Sequence, residues 1–371
     1  MRHLARNLAE RGHTVAVWTV DRGEHLGVRH VDGVEVHYLP TPLPARSTAA
    51  LLRYTVRFPA AVTAWMRAYR HLRPTVLNVQ CFGPNGIYGW VVSRLTRTPL
   101  MVSSHGETFA DDHDAFGQSG LLRVGLRAAL RDATVVSGCS TVVLTDLRNR
   151  FGLVGGSVVP NGIDLQETSG SATPPWWPSL GPVILALGRI EHKKGFDLLL
   201  RSFASLINAQ AIPPTAKLVV AGNGQALEGL KVMAADLGVE PSVILPGRLN
   251  REEVAGAVSR ATAVVVPSRV EAFGIVALEA WRGGAPLVMT SRGGAADFVD
   301  DGVTGLLVDP EDGAKLTDAI ARVVNDSGLS QNLVDAASER VRQFSWDRVA
   351  GMYEALYSHV ADVALSTRRR A

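Results

Sequence analysis

The chain has 371 residues, 46% of them hydrophobic and 20% charged, and a formal net charge of +3. That length suits two domains with a core each, and the composition is that of an α/β protein. No apolar run reaches the ~18 residues of a membrane span, the N-terminus lacks the apolar stretch of a cleavable signal, and the two cysteines, Cys81 and Cys139, lack metal-ligand spacing and read as reduced core thiols.

Leu4, Ala5, Leu8 and Ala9 share one helix face, which ends at Arg11-Gly12-His13. Strands are expected over 14–20 and 34–39, the second preceded by Gly33. Residues 46–72 read as one or two helices, with Pro59 as a break or a helix start. A strand at 76–80, a helix at 86–95, a strand at 100–104, a helix at 121–130, a strand at 134–137 and a helix at 141–150 follow. His113, among Asp111, Asp112 and Asp114, reads as part of a solvated acidic loop rather than a metal site. The turn Asn161-Gly162-Ile163-Asp164 leads into 166–181, whose Ser, Gly, Thr and Pro content marks a linker. Beyond it, strands at 183–187, 217–221, 243–245, 263–266, 287–289 and 305–308 alternate with helices. Such alternation predicts mostly parallel sheets. Ser345 is a fair N-cap for a last helix, and Thr367-Arg368-Arg369-Arg370 reads as a basic, disordered tail.

The densest signal is Glu271-Ala272-Phe273-Gly274-Ile275-Val276-Ala277-Leu278-Glu279. It lies between the strand at 263–266 and a helix stop at Gly283-Gly284-Ala285-Pro286. In parallel sheets ligands gather at the carboxyl ends of such strands. A helix starting near Gly274 would aim its first N–H groups there, which suits a phosphate, and Gly274 lets the backbone come close. From Ile275 to Glu279 is roughly 6 Å at ~1.5 Å per residue, about the reach from a diphosphate to its ribose. Glu271 and Glu279 would then accept hydroxyls on either side of the phosphates. Two Glu at this spacing are also ordinary on a solvated helix, so the pair alone decides little. Earlier in the chain, Gly188-Arg189 and Lys194-Gly195 follow the strand at 183–187. They bring a guanidinium fork and an ammonium group to the same kind of crevice.

Together, Gly188-Arg189 with Lys194-Gly195, the Glu-x7-Glu stretch with Phe273-Gly274, Gly283-x-x-Pro286, Gly293-Gly294 and Asp301-Gly302-x-x-Gly305 resemble the retaining glycosyltransferases of family 4. The resemblance covers nearly the whole chain and is most specific in its second half. It implies the GT-B fold, an α/β architecture of two Rossmann-like domains facing across a cleft. An acceptor-side domain at 1–165 would be completed by a terminal helix at 345–365, and a nucleotide-sugar-binding domain would span 182–344. The implied reaction is retaining, metal-independent transfer of a sugar from a nucleoside-diphosphate sugar to an acceptor hydroxyl, with no cofactor. Products would be glycans, glycolipids or glycosylated metabolites. Catalytic roles are implied for Glu271, Arg189, Lys194 and His105. His105 stands with Gly106 after the strand at 100–104, at the cleft edge, and would contact the donor sugar. Donor contacts are implied for Gly188, Gly222, Asn223, Gly247, Arg248, Phe273, Gly274, Ile275, Val276 and Glu279. In the family Gly293-Gly294 precedes an acidic residue, whereas this chain offers Ala295-Ala296-Asp297, a shorter carboxylate or none at that place.

From Val36 to Gly106 there is no Asp or Glu, but Arg46, Arg53, Arg57, Arg67, Arg70, Arg73, Arg94 and Arg97 are present. They read equally as ordinary helix surface or as a face for an anionic or lipid-linked acceptor and a peripheral membrane contact. No nucleic-acid motif accompanies them. The expected location is cytoplasmic, with contact at the inner membrane face. Two other readings stay open: another GT-B enzyme, such as a nucleotide-sugar epimerase or phosphorylase, and a binding subunit of weak activity. Family members also open with a strand and a glycine turn before the first helix, whereas 1–13 here is already that helix. A first sheet lacking its central strand is therefore expected, from a polypeptide that starts late, unless another segment fills the slot.

Overall fold

The computed structural model describes residues 1–43, 48–110, 114–166 and 173–370. The chain divides into two compact units, Met1–Pro160 with Trp346–Ala371 and Asn161–Ser345.

The first unit opens with α1 (Arg2–Glu10), which buries Leu4, Ala5 and Leu8 on one face. Next come β1 (Ala16–Val20), β2 (Val28–Val31) and β3 (Val34–Leu39). The sequence did not mark β2. It pairs antiparallel with β3 through Asp32-Gly33, both left-handed at φ 50 and 77, as a tight hairpin turn requires. The helix α2 (Thr48–Leu72) is a single helix with Pro59 inside it. The βα run continues with β4 (Leu77–Gln80), α3 (Pro84–Thr96), β5 (Leu100–Ser104), α4 (Ala115–Gln118), α5 (Gly120–Asp132), β6 (Val135–Gly138), α6 (Thr141–Phe151) and β7 (Ser157–Val158).

These strands form two sheets, β1-β3-β2 and β4-β5-β6-β7, and no described strand joins β1 to β4. The strands of this unit therefore do not form one continuous sheet. The division is visible in burial. All five residues of β5 are buried between β4 and β6, whereas all five of β1 are only half-buried. Trp18 in β1 holds its Nε1 buried without a hydrogen-bond partner.

The second unit contains β8 (Val183–Leu187), α7 (Phe196–Asn208), β9 (Lys217–Ala221), α8 (Leu227–Asp236), β10 (Val243–Ile244), α9 (Arg251–Val258), β11 (Ala263–Val266), α10 (Ile275–Gly283), β12 (Leu287–Thr290), β13 (Leu306–Val308), α11 (Gly313–Asn325) and α12 (Ser327–Arg340). Its six strands make one parallel sheet in the order β10-β9-β8-β11-β12-β13. The strands read as apolar runs because helices cover both faces. Leu199, Leu200 and Phe203 of α7 and Leu316 and Ile320 of α11 pack with Ile184, Leu218, Val220 and Val265 of the sheet. Each such side chain contributes about 1.5–3 kcal/mol by leaving water. From β8 the sheet grows first toward β10 and then, with β11, the other way. The carboxyl ends of β8 and β11 are thus the switch point where this topology leaves a crevice.

The chain then returns to the first unit as α13 (Trp346–Arg370). Its Val349, Ala350 and Tyr353 pack with Leu4 and Leu8 of α1, and Arg11 pairs with both Asp347 and Glu354 at 2.9 Å. Two expectations are corrected. Residues 367–370 continue this helix instead of forming a disordered tail. Cys81 is exposed just past the edge strand β4, so only Cys139 is a core thiol. Asp111, Asp112, His113, Arg46 and residues 167–172 of the linker lie outside the described residues. Among the described residues no helix is long and apolar enough to cross a membrane.

Candidate functional site

At the switch point of the second unit, glycine turns bring three loops together. Ile190 donates its backbone N–H to Asn223 O at 3.0 Å, and Gly222 donates to Gly247 O at 2.8 Å. A Cβ on Gly222 would lie 1.7 Å from Gly188 O, so glycine is needed there for backbone to pass backbone. The turns at Gly188, Gly222-Asn223 and Gly247 are therefore one packed layer, and the exposed Arg248 lies just past it.

The charged groups stand on this layer. Lys194 ends a short 3-10 turn, His192–Lys194, and its Nζ lies 2.7 Å from Glu271 Oε2. Ser268, 1% exposed, donates its hydroxyl to the same oxygen at 3.0 Å. Both contacts use Oε2, which leaves Oε1 for a further donor. Arg189 Nη1 pairs with Glu191 Oε1 at 2.6 Å, while half of the Arg189 side chain remains exposed. The Glu271 backbone is held on both sides: its N–H reaches Arg292 O at 3.1 Å, and its carbonyl accepts from Gly294 at 3.0 Å. Gly293-Gly294 thus serves to dock the Glu271 loop, and Asp297 lies exposed at the end of the following turn.

The helix α10 starts at Ile275, straight after Gly274 at φ 92, and no side chain caps it. Its first N–H groups, at Ile275 and Val276, face the carboxyl end of the sheet with the positive end of the helix dipole. A Cβ on Gly274 would lie 2.4 Å from Met289 Cε, besides the cost of a left-handed backbone. Glu279 sits one turn further on, half-buried. Phe273 is buried. Its ring is 2% exposed and stacked on Phe298 at 4.4 Å, within a cluster that includes Trp281 and Phe344. Only its backbone is left to meet a ligand; the ring supports the loop from below.

His105 belongs to the first unit, directly after β5. Its Nε2 lies 2.8 Å from Gln80 Oε1 and its backbone N–H donates to Glu107 Oε2 at 2.7 Å. Glu107 also accepts from Ser104 Oγ at 2.9 Å and from Phe82 N at 2.8 Å. One carboxylate therefore ties the loops after β4 and β5 and sets the backbone that carries His105. The sequence alone does not single out Glu107, Ser268, Glu191 or Gln80, because each acts through a partner that only folding brings near.

The second-unit arrangement can hold a polyanion beside a hydroxyl-rich group: cations and helix N–H groups for the one, carboxylates for the other. Among the described residues no group of three or more His, Cys, Asp or Glu side chains is placed to hold a metal.

Comparison with known proteins gives a consistent picture. Residues 177–340 match the family model described as glycosyl transferases group 1, and residues 1–162 match the glycosyl transferase 4-like domain. A D-inositol 3-phosphate glycosyltransferase of Acidothermus cellulolyticus is 30% identical over 392 residues, covering 99% of this chain and 85% of that protein. A glycogen synthase of Mycobacterium tuberculosis is 32% identical over 265 residues, 69% of this chain and 62% of that one. In structure, a sucrose-phosphate synthase from Thermosynechococcus elongatus superposes with a TM-score of 0.81 at 24% identity, covering 98% of this chain and 92% of its own. The Anabaena protein HepE, in complex with UDP and glucose, gives 0.74 at 18% identity, with 96% and 95% covered.

Proposed function

The chain belongs to glycosyltransferase family 4, with the GT-B fold, and as such is a glycosyl transferase; we propose that it moves a sugar, with retention, from a nucleoside-diphosphate sugar to an acceptor hydroxyl. The observation that carries this reading is the meeting of Lys194, Glu271 and the start of α10 at the switch point of the second unit. The bond from the sugar's anomeric carbon to the diphosphate breaks, and the departing oxygen gains negative charge. Arg189, Lys194 and the N–H groups at Ile275 and Val276 stabilise that charge, and no metal is assigned to the task. Glu271, fixed by Ser268 and Lys194, presents Oε1 to the sugar hydroxyls, and Glu279 accepts from the ribose. His105 acts on the reacting sugar. The acceptor attacks the face the diphosphate leaves, and its proton passes to a phosphate oxygen.

The test is release of nucleoside diphosphate by the purified chain. Sugars on uridine diphosphate come first, because HepE is bound to UDP-glucose in one of its structures. Release that requires an added acceptor is the expected result. An epimerised donor would mark a different GT-B enzyme, and binding without turnover a binding subunit. Arg189→Ala and Lys194→Ala are each expected to cost roughly 2–4 kcal/mol of transition-state stabilisation; turnover like the parent's would remove the assignment.

For the acceptor we propose an anionic group. Arg57, Arg67, Arg70, Arg73 and Arg97 of the first unit are exposed and carry no acidic partner among the described residues, and the Acidothermus relative is named for an inositol phosphate. Recovery on anionic vesicles that declines with salt supports a lipid-linked acceptor at a membrane surface. Equal recovery on neutral vesicles removes the membrane version and leaves a phosphorylated soluble acceptor.

A further inference from the structure

Behind the Lys194–Glu271 pair lies a second set of charges that touches no candidate ligand position. Arg269 sits between Ser268 and Glu271 in sequence, yet its side chain turns away from both and is 17% exposed. Its Nη1 donates to His192 O at 2.7 Å and to Asp197 Oδ1 at 2.8 Å, and its Nη2 donates to Asp197 Oδ2 at 2.6 Å. Its backbone N–H donates to Lys193 O at 2.8 Å. One residue thus holds two consecutive carbonyls of the His192–Lys194 turn and, through Asp197, the first turn of α7. The chain of charges continues: Arg269 Nε lies 3.6 Å from Glu311, whose other oxygen is 2.5 Å from Arg292 Nη1. Arg292 precedes Gly293-Gly294, the turn that docks the Glu271 backbone.

We propose that Arg269 is a positioning residue: it locks the His192–Lys194 turn to the Ser268–Glu271 loop and so fixes where Lys194 Nζ meets the diphosphate. The inference rests on the donor-site reading given above. The physical reason is that Lys194 reaches Glu271 on a flexible four-carbon stem. Its ammonium is placed only as well as its backbone, and the carbonyls of the two preceding residues are tied to the loop that carries its partner. A guanidinium is required, because only its planar fork binds a carboxylate through two nitrogens while also meeting a carbonyl. Lysine at 269 would keep the charge and lose the geometry.

The experiment is a double-mutant cycle read by titration calorimetry with uridine diphosphate, on the full chain. Lys194→Ala and Arg269→Met are each expected to weaken binding by about 10-fold, within the range seen for residues of one ion-pair network. Because Arg269 acts through Lys194, adding Arg269→Met to Lys194→Ala is expected to change affinity by less than about twofold. Asp197→Asn, which keeps the shape of the latch but removes its charge, serves as the second variant and should show the same dependence on Lys194. Arg269→Lys should behave like Arg269→Met. A melting temperature that falls while uridine diphosphate affinity stays at the parent level would make Arg269 merely structural. Losses that add in the double variant would also overturn the proposal. If Lys194→Ala alone leaves affinity unchanged, the donor-site reading fails and the latch with it; if Lys194→Ala weakens binding and neither Arg269→Met nor Asp197→Asn does, only the latch fails.

Discussion

Burial pushes the Asp197 carboxyl up, but the hydrogen bonds and charge of Arg269 outweigh it and hold the group below its ordinary value of 3.8. A carboxylate lowered on folding stabilises the folded state above its unfolded pKa. That contribution disappears as pH falls through the lowered value. The latch should therefore stabilise the second unit evenly from neutral pH down to about pH 4 and fail below it. Melting curves of the parent and Asp197→Asn between pH 7 and 3 check this: the two should converge on acidification, and a constant gap would contradict it. Lys194 and Glu271 stand out in the sequence one by one, but the pairings of this network do not, for a plain reason. Arg269 meets Asp197 across 72 positions, and Lys194 meets Glu271 across 77. Spacing rules see neighbours along one element, not pairs made by the order of strands. Gly274 was legible because its reason is local, a left-handed residue before a helix.

At the scale of elements, the helices and strands around α10 were readable because hydrophobic period, a proline or glycine stop and a glycine start agree there. The hairpin at β2 was missed, since Val28-Arg29-His30-Val31 is mostly exposed and shows no apolar alternation. At Phe273 the motif implies a donor contact without saying which atoms make it; the ring fills an aromatic cluster, which leaves the backbone for that role. The divided sheet of the first unit carries its own prediction. Among the described residues no strand pairs with the outer edge of β1 or of β4. An unpaired buried group costs about 1–3 kcal/mol, so these edges should open easily. In hydrogen exchange, the edge-facing amides of β1 and β4 should exchange well before those of β5. Equal protection across all three strands would mean that the gap is closed in solution.

For the whole molecule, a net charge of +3 conceals an uneven distribution. The acid-free stretch from Val36 to Gly106 lies entirely in the first unit, while the second unit surrounds its cations with Glu191, Asp197 and Glu271. A generally basic surface suits a diffuse anionic partner, and paired cations with oriented N–H groups suit a compact one. The central claim is that the compact anion is a nucleoside diphosphate seated at the carboxyl ends of β8 and β11. Hydrogen exchange of the full chain with and without uridine diphosphate tests it most directly. Protection should rise in peptides covering 188–195 and 268–276, and not in those covering the basic helix α2. Protection confined to other segments, or none at saturating nucleotide, would contradict the account.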